Sequence, residues 1–233
     1  MIVYYSEGTS NFGNYLVPLS HERTGTDDTF RLTNKNLSPS PLLKCPAHAK
    51  VFDSFFVVKS PYTYQILWEN EVFSSPDYDQ FFWDEHVYAR DSKTGLVSFR
   101  APQLWLFCEK DLEVEQLPAF WHKNEVTTKT SIIGGRYNIG GQFRPLECAM
   151  AFDRPGKLEI FRDTALYYLK FNTSEKIKLV PFQMTEDLNN FASGALKTTA
   201  YNKGKPRILS QVYLTNKLFY RKRILQLIKD NLL

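Results

Sequence analysis

Between Pro145 and Phe182 the apolar residues recur in four short runs separated by turn chemistry, and this pattern limits the fold more than any other feature of the chain. Leu146 to Phe152 ends at Asp153-Arg154-Pro155-Gly156, where proline holds φ at about −65° and glycine supplies the positive φ of a tight turn. Lys157 to Phe161, Ala165 to Phe171 and Lys176 to Val180 follow, joined by Arg162-Asp163-Thr164 and Asn172-Thr173-Ser174-Glu175. Connections this short favour antiparallel neighbours, so the segment predicts a β-meander.

Strand-like runs also precede it. Val51 to Val58 is followed by Tyr62 to Trp68 after Ser60-Pro61, then by Leu96 to Arg100, and by Leu104 to Cys108 after Ala101-Pro102. In Leu112-Glu113-Val114-Glu115 apolar and acidic residues alternate, as on a half-solvated strand. Aromatic residues make up 15% of the 233, with 18 Phe, 13 Tyr and 4 Trp, and they favour strands. The expectation is a mainly β body over residues 1–183, a sandwich or jelly-roll-like barrel. Residues 19–46, with Ser38-Pro39-Ser40-Pro41 and Cys45-Pro46, read as a long arm, because a residue before proline is held extended.

After Pro181 the period becomes helical. Thr185-Glu186-Asp187 suits a helix start, and Leu188, Phe191, Ala192 and Ala195 recur at helical spacing. Lys203-Gly204-Lys205-Pro206 interrupts it, and from Arg207 an imperfect stripe of Leu209, Val212, Tyr213, Leu218, Phe219, Leu225 and Ile228 runs to the end. Residues 184–233 are therefore expected to be a helical, basic C-terminal segment.

Charge divides the same way. Nine of the 29 Lys and Arg lie in residues 197–233 beside one acid, Asp230, which leaves 20 basic and 24 acidic residues in the rest of the chain. A tail near +8 is thus joined to a body near −4. Segregation of this kind points to docking on something acidic, whether nucleic acid, an acidic protein or the body itself. The contact residues would be Lys197, Lys203, Lys205, Arg207, Lys217, Arg221, Lys222 and Arg223. Tyr201, Tyr213, Phe219 and Tyr220 interleave with them, either to stack on bases or to form the buried stripe of the helix.

Other constellations carry less chemistry. Cys45 and His48 would supply two metal ligands, but a structural zinc site needs four and no second close pair exists. If Trp83-Asp84-Glu85-His86 is a strand, Asp84 and His86 share a face, and with Glu113 or Glu115 they would offer a mixed nitrogen and carboxylate metal site. Gly134-Gly135-Arg136-Tyr137-Asn138-Ile139-Gly140-Gly141 lacks the Gly-Lys-Ser/Thr ending of a phosphate loop, so it reads as a loop whose Arg136, Tyr137 and Asn138 would rim a pocket. No Gly-x-Ser-x-Gly elbow occurs, and no cofactor is implied. The three cysteines cannot all pair within one chain, and Met1 to Gly8 reads as a first strand and not a signal peptide, so a reducing compartment is expected. No run approaches the roughly 20 apolar residues of a membrane span.

Cys45-Pro46-Ala47, Ser60-Pro61 and the block from Arg154-Pro155-Gly156 to Leu166-Tyr167-Tyr168 resemble uncharacterised proteins of marine tailed phages of the T4-like type, over roughly residues 45–182. The resemblance implies a viral protein in the cytoplasm of an infected bacterium, with no activity to carry over. The same block also resembles the strand-turn-strand ending of dUTPase-like folds, but the glycine-rich stretch before Arg144 has no aspartate to activate water. Two functions remain open on the residues. One is a non-enzymatic binding or assembly protein, homo-oligomeric or bound to nucleic acid or an acidic protein through its tail. The other is an enzyme or small-ligand binder with a pocket in the β body.

Overall fold

The computed structural model describes residues 1–7, 15–19, 46, 54–77, 80–192, 211 and 213–233. Nearly all of the arm expected over 19–46 lies outside the described residues, as do Cys45, His48, Lys197, Tyr201, Lys203, Lys205 and Arg207.

In chain order the strands are β1 (Ile2–Ser6), β2 (Leu16–Pro18), β3 (Phe55–Lys59), β4 (Tyr64–Glu69), β5 (Val72–Ser74), β6 (Val87–Asp91), β7 (Leu96–Phe107), β8 (Glu113–Pro118), β9 (Thr130–Ile132), β10 (Arg136–Asn138), β11 (Pro145–Phe152), β12 (Gly156–Ile160), β13 (Ala165–Phe171) and β14 (Lys178–Pro181). Helices are α1 (Gln80–His86), α2 (Glu125–Lys129), α3 over residues 186–192, and α4, in which a π-helical turn (Asn216–Tyr220) leads into an α-helix (Arg221–Asp230). The first sheet has the order β14-β1-β7-β11-β9, with β6 also on β7. The second runs β10-β8-β13-β3-β2 and the third β12-β4-β5. The protein is mainly β, and among the described residues no sheet closes into a barrel.

The main core lies between the sheets. Val3, Val97, Phe99, Leu104, Leu106, Cys148 and Met150 of the first sheet meet Phe56, Val58, Val114, Tyr167 and Leu169 of the second and Ile66, Trp68, Leu158 and Ile160 of the third. The outer face of the second sheet carries Phe55, Val57 and Tyr168, packed with Leu19 and Ala119. There the buried His122 Nδ1 lies 2.6 Å from the Tyr168 hydroxyl.

All four runs after Pro145 are strands, yet none pairs with the next, so the meander does not form. Strand β11 lies between β7 and β9 in the first sheet, β12 joins β4 in the third, β13 sits between β3 and β8 in the second, and β14 returns to the first in parallel with β1. A short turn fixes how far apart two strand ends lie, not which sheet each strand joins. Strand β13 is apolar on both faces and buried at six of its seven residues, so it needs the centre of a covered sheet, which a surface meander does not provide.

The two strands expected on either side of Ala101-Pro102 are one, β7, which continues through a cis Ala101-Pro102 bond. Pairing with β11 steps from Cys148 opposite Phe99 to Leu146 opposite Leu104, so Arg100 to Gln103 bow out across from Glu147. That excursion reverses the alternation. Val97 and Phe99 face the main core before it, and Leu104 and Leu106 after it. One edge is closed by side chains, because Glu125 of α2 accepts from Glu159 N at 2.6 Å and Lys129 donates to the Lys157 carbonyl at 3.0 Å, satisfying β12 groups that would otherwise recruit another strand.

Candidate functional site

The C-terminal segment is fixed to the body by its last turns. Ile224, Leu227 and Ile228 of α4 are buried with Phe182, Met184, Leu188 and Ala192 against Tyr4, Trp105, Phe107 and Phe143, which roofs one end of the outer face of the first sheet. Each such aliphatic side chain contributes about 1.5–3 kcal/mol of burial. Thr185 caps α3 as its sequence suggests, its hydroxyl accepting from Leu188 N. Backbone bonds from Gln183 N to Asn231 O at 2.9 Å and from Leu233 N to Pro181 O at 3.1 Å pin the end of the segment beside β14.

The buried stripe differs from the expected one. Leu218 is 63% and Phe219 74% exposed, with Leu214 and Tyr220 also exposed, while Ile224 and Leu227 take the inner face. The π-helical turn over Asn216–Tyr220 holds an extra residue, which shifts the phase of the helix between these groups. The basic residues separate with it. Asp111 receives Lys217 at 2.5 Å and Arg221 at 3.1 Å, and the hydrogen bond from the Lys217 ammonium holds its carboxyl below the usual range. Lys222 and Arg223 are exposed to solvent.

The end of the glycine-rich stretch is the seat of this segment. A Cβ on Gly140 would overlap the Lys110 carbonyl and the Arg221 guanidinium, and one on Gly141 would stand 3.3 Å from the stem of Lys217. Asn138 shapes the turn by accepting from Gly140 N at 3.0 Å. Arg136 lies directly across the ladder from Glu115 and bonds it at 2.6 Å, with Glu113 at 4.0 Å, so these carboxylates serve a cross-strand ion pair. Glu115 also receives Asn172 at 3.2 Å, and that bond, followed by Arg136, lowers its pKa.

The proposed metal set is not assembled. Residues 80–86 form a helix, not a strand, because Trp83 turns toward the core while Asp84 and Glu85 stay exposed, so Asp84 and His86 do not share a face. The His86 ring packs at 5.9 Å from Tyr62 and 5.8 Å from Tyr64. Among the described residues no three His, Cys, Asp or Glu side chains form a group suited to a metal ion. Cys148 is fully buried, and burial pushes its thiol far up, away from nucleophilic chemistry.

A polar cluster that sequence reasoning missed lies at the other end of the same outer face. Arg90 occupies a one-residue bulge between Ala89 and Asp91, and Arg100 opens the excursion opposite Glu147. The two bulges aim both guanidiniums at one carboxylate, Arg90 at 2.6 Å and Arg100 at 3.5 Å. Both also sit over the Tyr88 ring, at 5.6 and 4.9 Å from its centroid. Arg90 Nε donates to the Ser98 hydroxyl. Tyr137 donates to Gln116 at 3.3 Å, Gln116 donates to the Glu147 carbonyl at 3.0 Å, and Arg144 donates to the Tyr213 hydroxyl of the C-terminal segment at 3.3 Å. The available signal was Ser98, Arg100 and Glu147 interrupting apolar runs at alternate positions.

A cleft of about 900 Å³ opens between β1 and β14 on one side and β2 and β3 on the other, lined by Tyr5, Leu16, Phe56, Phe171, Ile177 and Leu179 among others. Glu175 and Lys176 are the charged side chains in its lining. No helix among the described residues is long and apolar enough to cross a membrane. Comparison with protein-family models, with curated proteins and with solved structures gives no match for this chain.

Proposed function

We propose that this chain is a non-enzymatic assembly protein whose C-terminal segment docks on an acidic protein surface, and that this surface belongs to a second copy. One observation carries the reading. Helix α4 is bolted down along one side by Ile224, Leu227 and Ile228, while the preceding turn exposes Leu218 and Phe219 next to the cations Lys222 and Arg223. An apolar centre with a basic rim is the composition of a protein interface. Exposed leucines offer little to a nucleic acid, and Asp111 already engages two of the basic side chains. The complementary charge is in the chain itself, since residues 60–89 hold six acids and no Lys or Arg, and Glu69, Glu71, Asp77 and Glu85 are exposed. The resemblance to tailed-phage proteins supports a viral setting in a bacterial cytoplasm.

Native mass spectrometry across protein and salt concentration tests this. The wild-type chain should form an oligomer that high salt dissociates, and Lys222→Glu with Arg223→Glu should leave a monomer. Mixing that variant with Glu69→Lys plus Glu71→Lys should restore a mixed assembly. A monomer under every condition would reject the reading, and retention of single-stranded DNA by that monomer would turn it toward nucleic acid. A second reading, a small-ligand binder, rests on the cleft between β1 and β3, whose lining mixes apolar and polar side chains. It requires a melting temperature that rises with an apolar ligand and ceases to do so in Phe171→Trp.

A further inference from the structure

We infer that the arginine cluster on the outer face of the first sheet is a binding site for a small ligand bearing an oxyanion, a phosphate or a carboxylate. The charges do not balance: Arg90 and Arg100 share the single carboxylate of Glu147. The hydrogen bonds do not balance either. Glu147 receives Arg90 at 2.6 Å, but its contact with Arg100 at 3.5 Å is an ion pair without a hydrogen bond, and Arg100 Nε is buried with no hydrogen-bond partner. A buried Nε–H without a hydrogen bond is costly, and a planar or tetrahedral oxyanion presents the paired acceptors that a guanidinium fork fits.

The cluster is also preorganised. Bulges on both sides of β7 aim Arg90 and Arg100 at the same point, and Tyr88 holds both guanidiniums against its face. Bulges of this kind re-aim side chains beside functional sites, and side chains already ordered lose less freedom when a ligand arrives. About a third of each arginine side chain stays exposed, which leaves the cluster open to a ligand. A purely structural ion pair would need one arginine, one glutamate and no bulge.

The test is titration of the full chain with inorganic phosphate, and separately with succinate, at constant ionic strength set by sodium chloride. Melting temperature is read together with the guanidinium Nε–H resonances of the arginines. The expected result is a saturable rise in melting temperature with one of the two anions, accompanied by shifts at Arg90 and Arg100. Arg100→Gln should weaken that response by at least about tenfold, while Arg136→Gln leaves it intact. Which anion acts tells a phosphate ligand from a carboxylate ligand. If Arg100→Gln does not fold, the wild-type resonances decide by themselves. The inference falls if neither anion gives a saturable response, if Arg100→Gln responds like wild type, or if the response disappears only in Lys222→Gln with Arg223→Gln, which would put the anion on α4 and leave the reading of that helix standing.

Discussion

Tyr4, Trp105 and Phe107 at one end of the outer face of the first sheet lie under α3 and α4, whereas Tyr88, Ser98, Arg100 and Glu147 at the other end of the same face belong to the arginine cluster. Both ends involve the same strand, β7, and both pair with β11, in registers that differ across the excursion at Arg100 to Gln103. The aromatic end is driven from water and recruits the apolar side of the C-terminal segment, while the arginine end keeps about a third of each arginine side chain exposed, because burying two guanidiniums fully against one carboxylate costs more than it returns. The side chains on the outer face therefore decide which end α3 and α4 pack on. The same arrangement leaves Leu218 and Phe219 of α4 exposed, the surface proposed for a partner, and Arg90 and Arg100 partly exposed, the site proposed for a small anion.

The largest expected effect comes from breaking the roofed end. Trp105 is 3% exposed and packs on Phe143 at a ring separation of 5.2 Å, so Trp105→Ala should cost about 3–5 kcal/mol in urea unfolding. Limited proteolysis should then cut the C-terminal segment before the β body. If the whole chain becomes protease-sensitive at once, roof and body fold as one unit and the contrast between the two ends is structural only.

At the arginine end, Glu147→Gln should destabilise by about 1–3 kcal/mol, because it leaves two guanidiniums without their carboxylate while water reaches part of each. The same change should tighten binding of the oxyanion, since it removes the negative charge that competes with the ligand. Loss of stability with no gain in affinity would show that Glu147 serves the fold alone.

A smaller effect is expected where α4 meets Asp111. The folded pKa of Asp111 is lowered, chiefly by the hydrogen bond from Lys217, so its contribution is complete above the unfolded carboxylate value of about 3.9 and is lost as pH falls through the folded value. Solvent screening keeps it below about 1 kcal/mol, because half of the Asp111 side chain is exposed. Amide protection over residues 213–221, taken relative to the intrinsic exchange rate at each pH, should fall in acid before that of the main core. Asp111→Asn should show the lower protection already at neutral pH, and unchanged protection would remove the clamp from the account.

The smallest effect lies in the core beneath. The Tyr167 hydroxyl is buried without a hydrogen-bond partner, and burial raises its pKa well above the ordinary value. Tyr167→Phe should leave stability within about 0.5 kcal/mol of wild type or raise it, because it removes a desolvated polar atom and no contact of the ring. A loss above about 1 kcal/mol would mean the hydroxyl is satisfied in solution.

Much of this molecule was legible before its structure. Strands over the runs after Pro145, the half-solvated alternation of Glu113 to Glu115, the cap at Thr185, the mainly β class and the helical basic end all follow from local chemistry: side-chain period, turn residues and hydrogen bonds within four residues. The partners of those strands were not legible, because strands pair through backbone groups that every residue shares, and β11 to β14 could be assigned to three sheets only once the apolar faces of the whole chain had to be buried together. The arginine cluster was hidden for the same reason. Arg90, Arg100 and Glu147 are remote in sequence and meet because two bulges re-phase strands that otherwise alternate regularly. Local periodicity determined what each segment is, and only the tertiary structure decided what each segment faces.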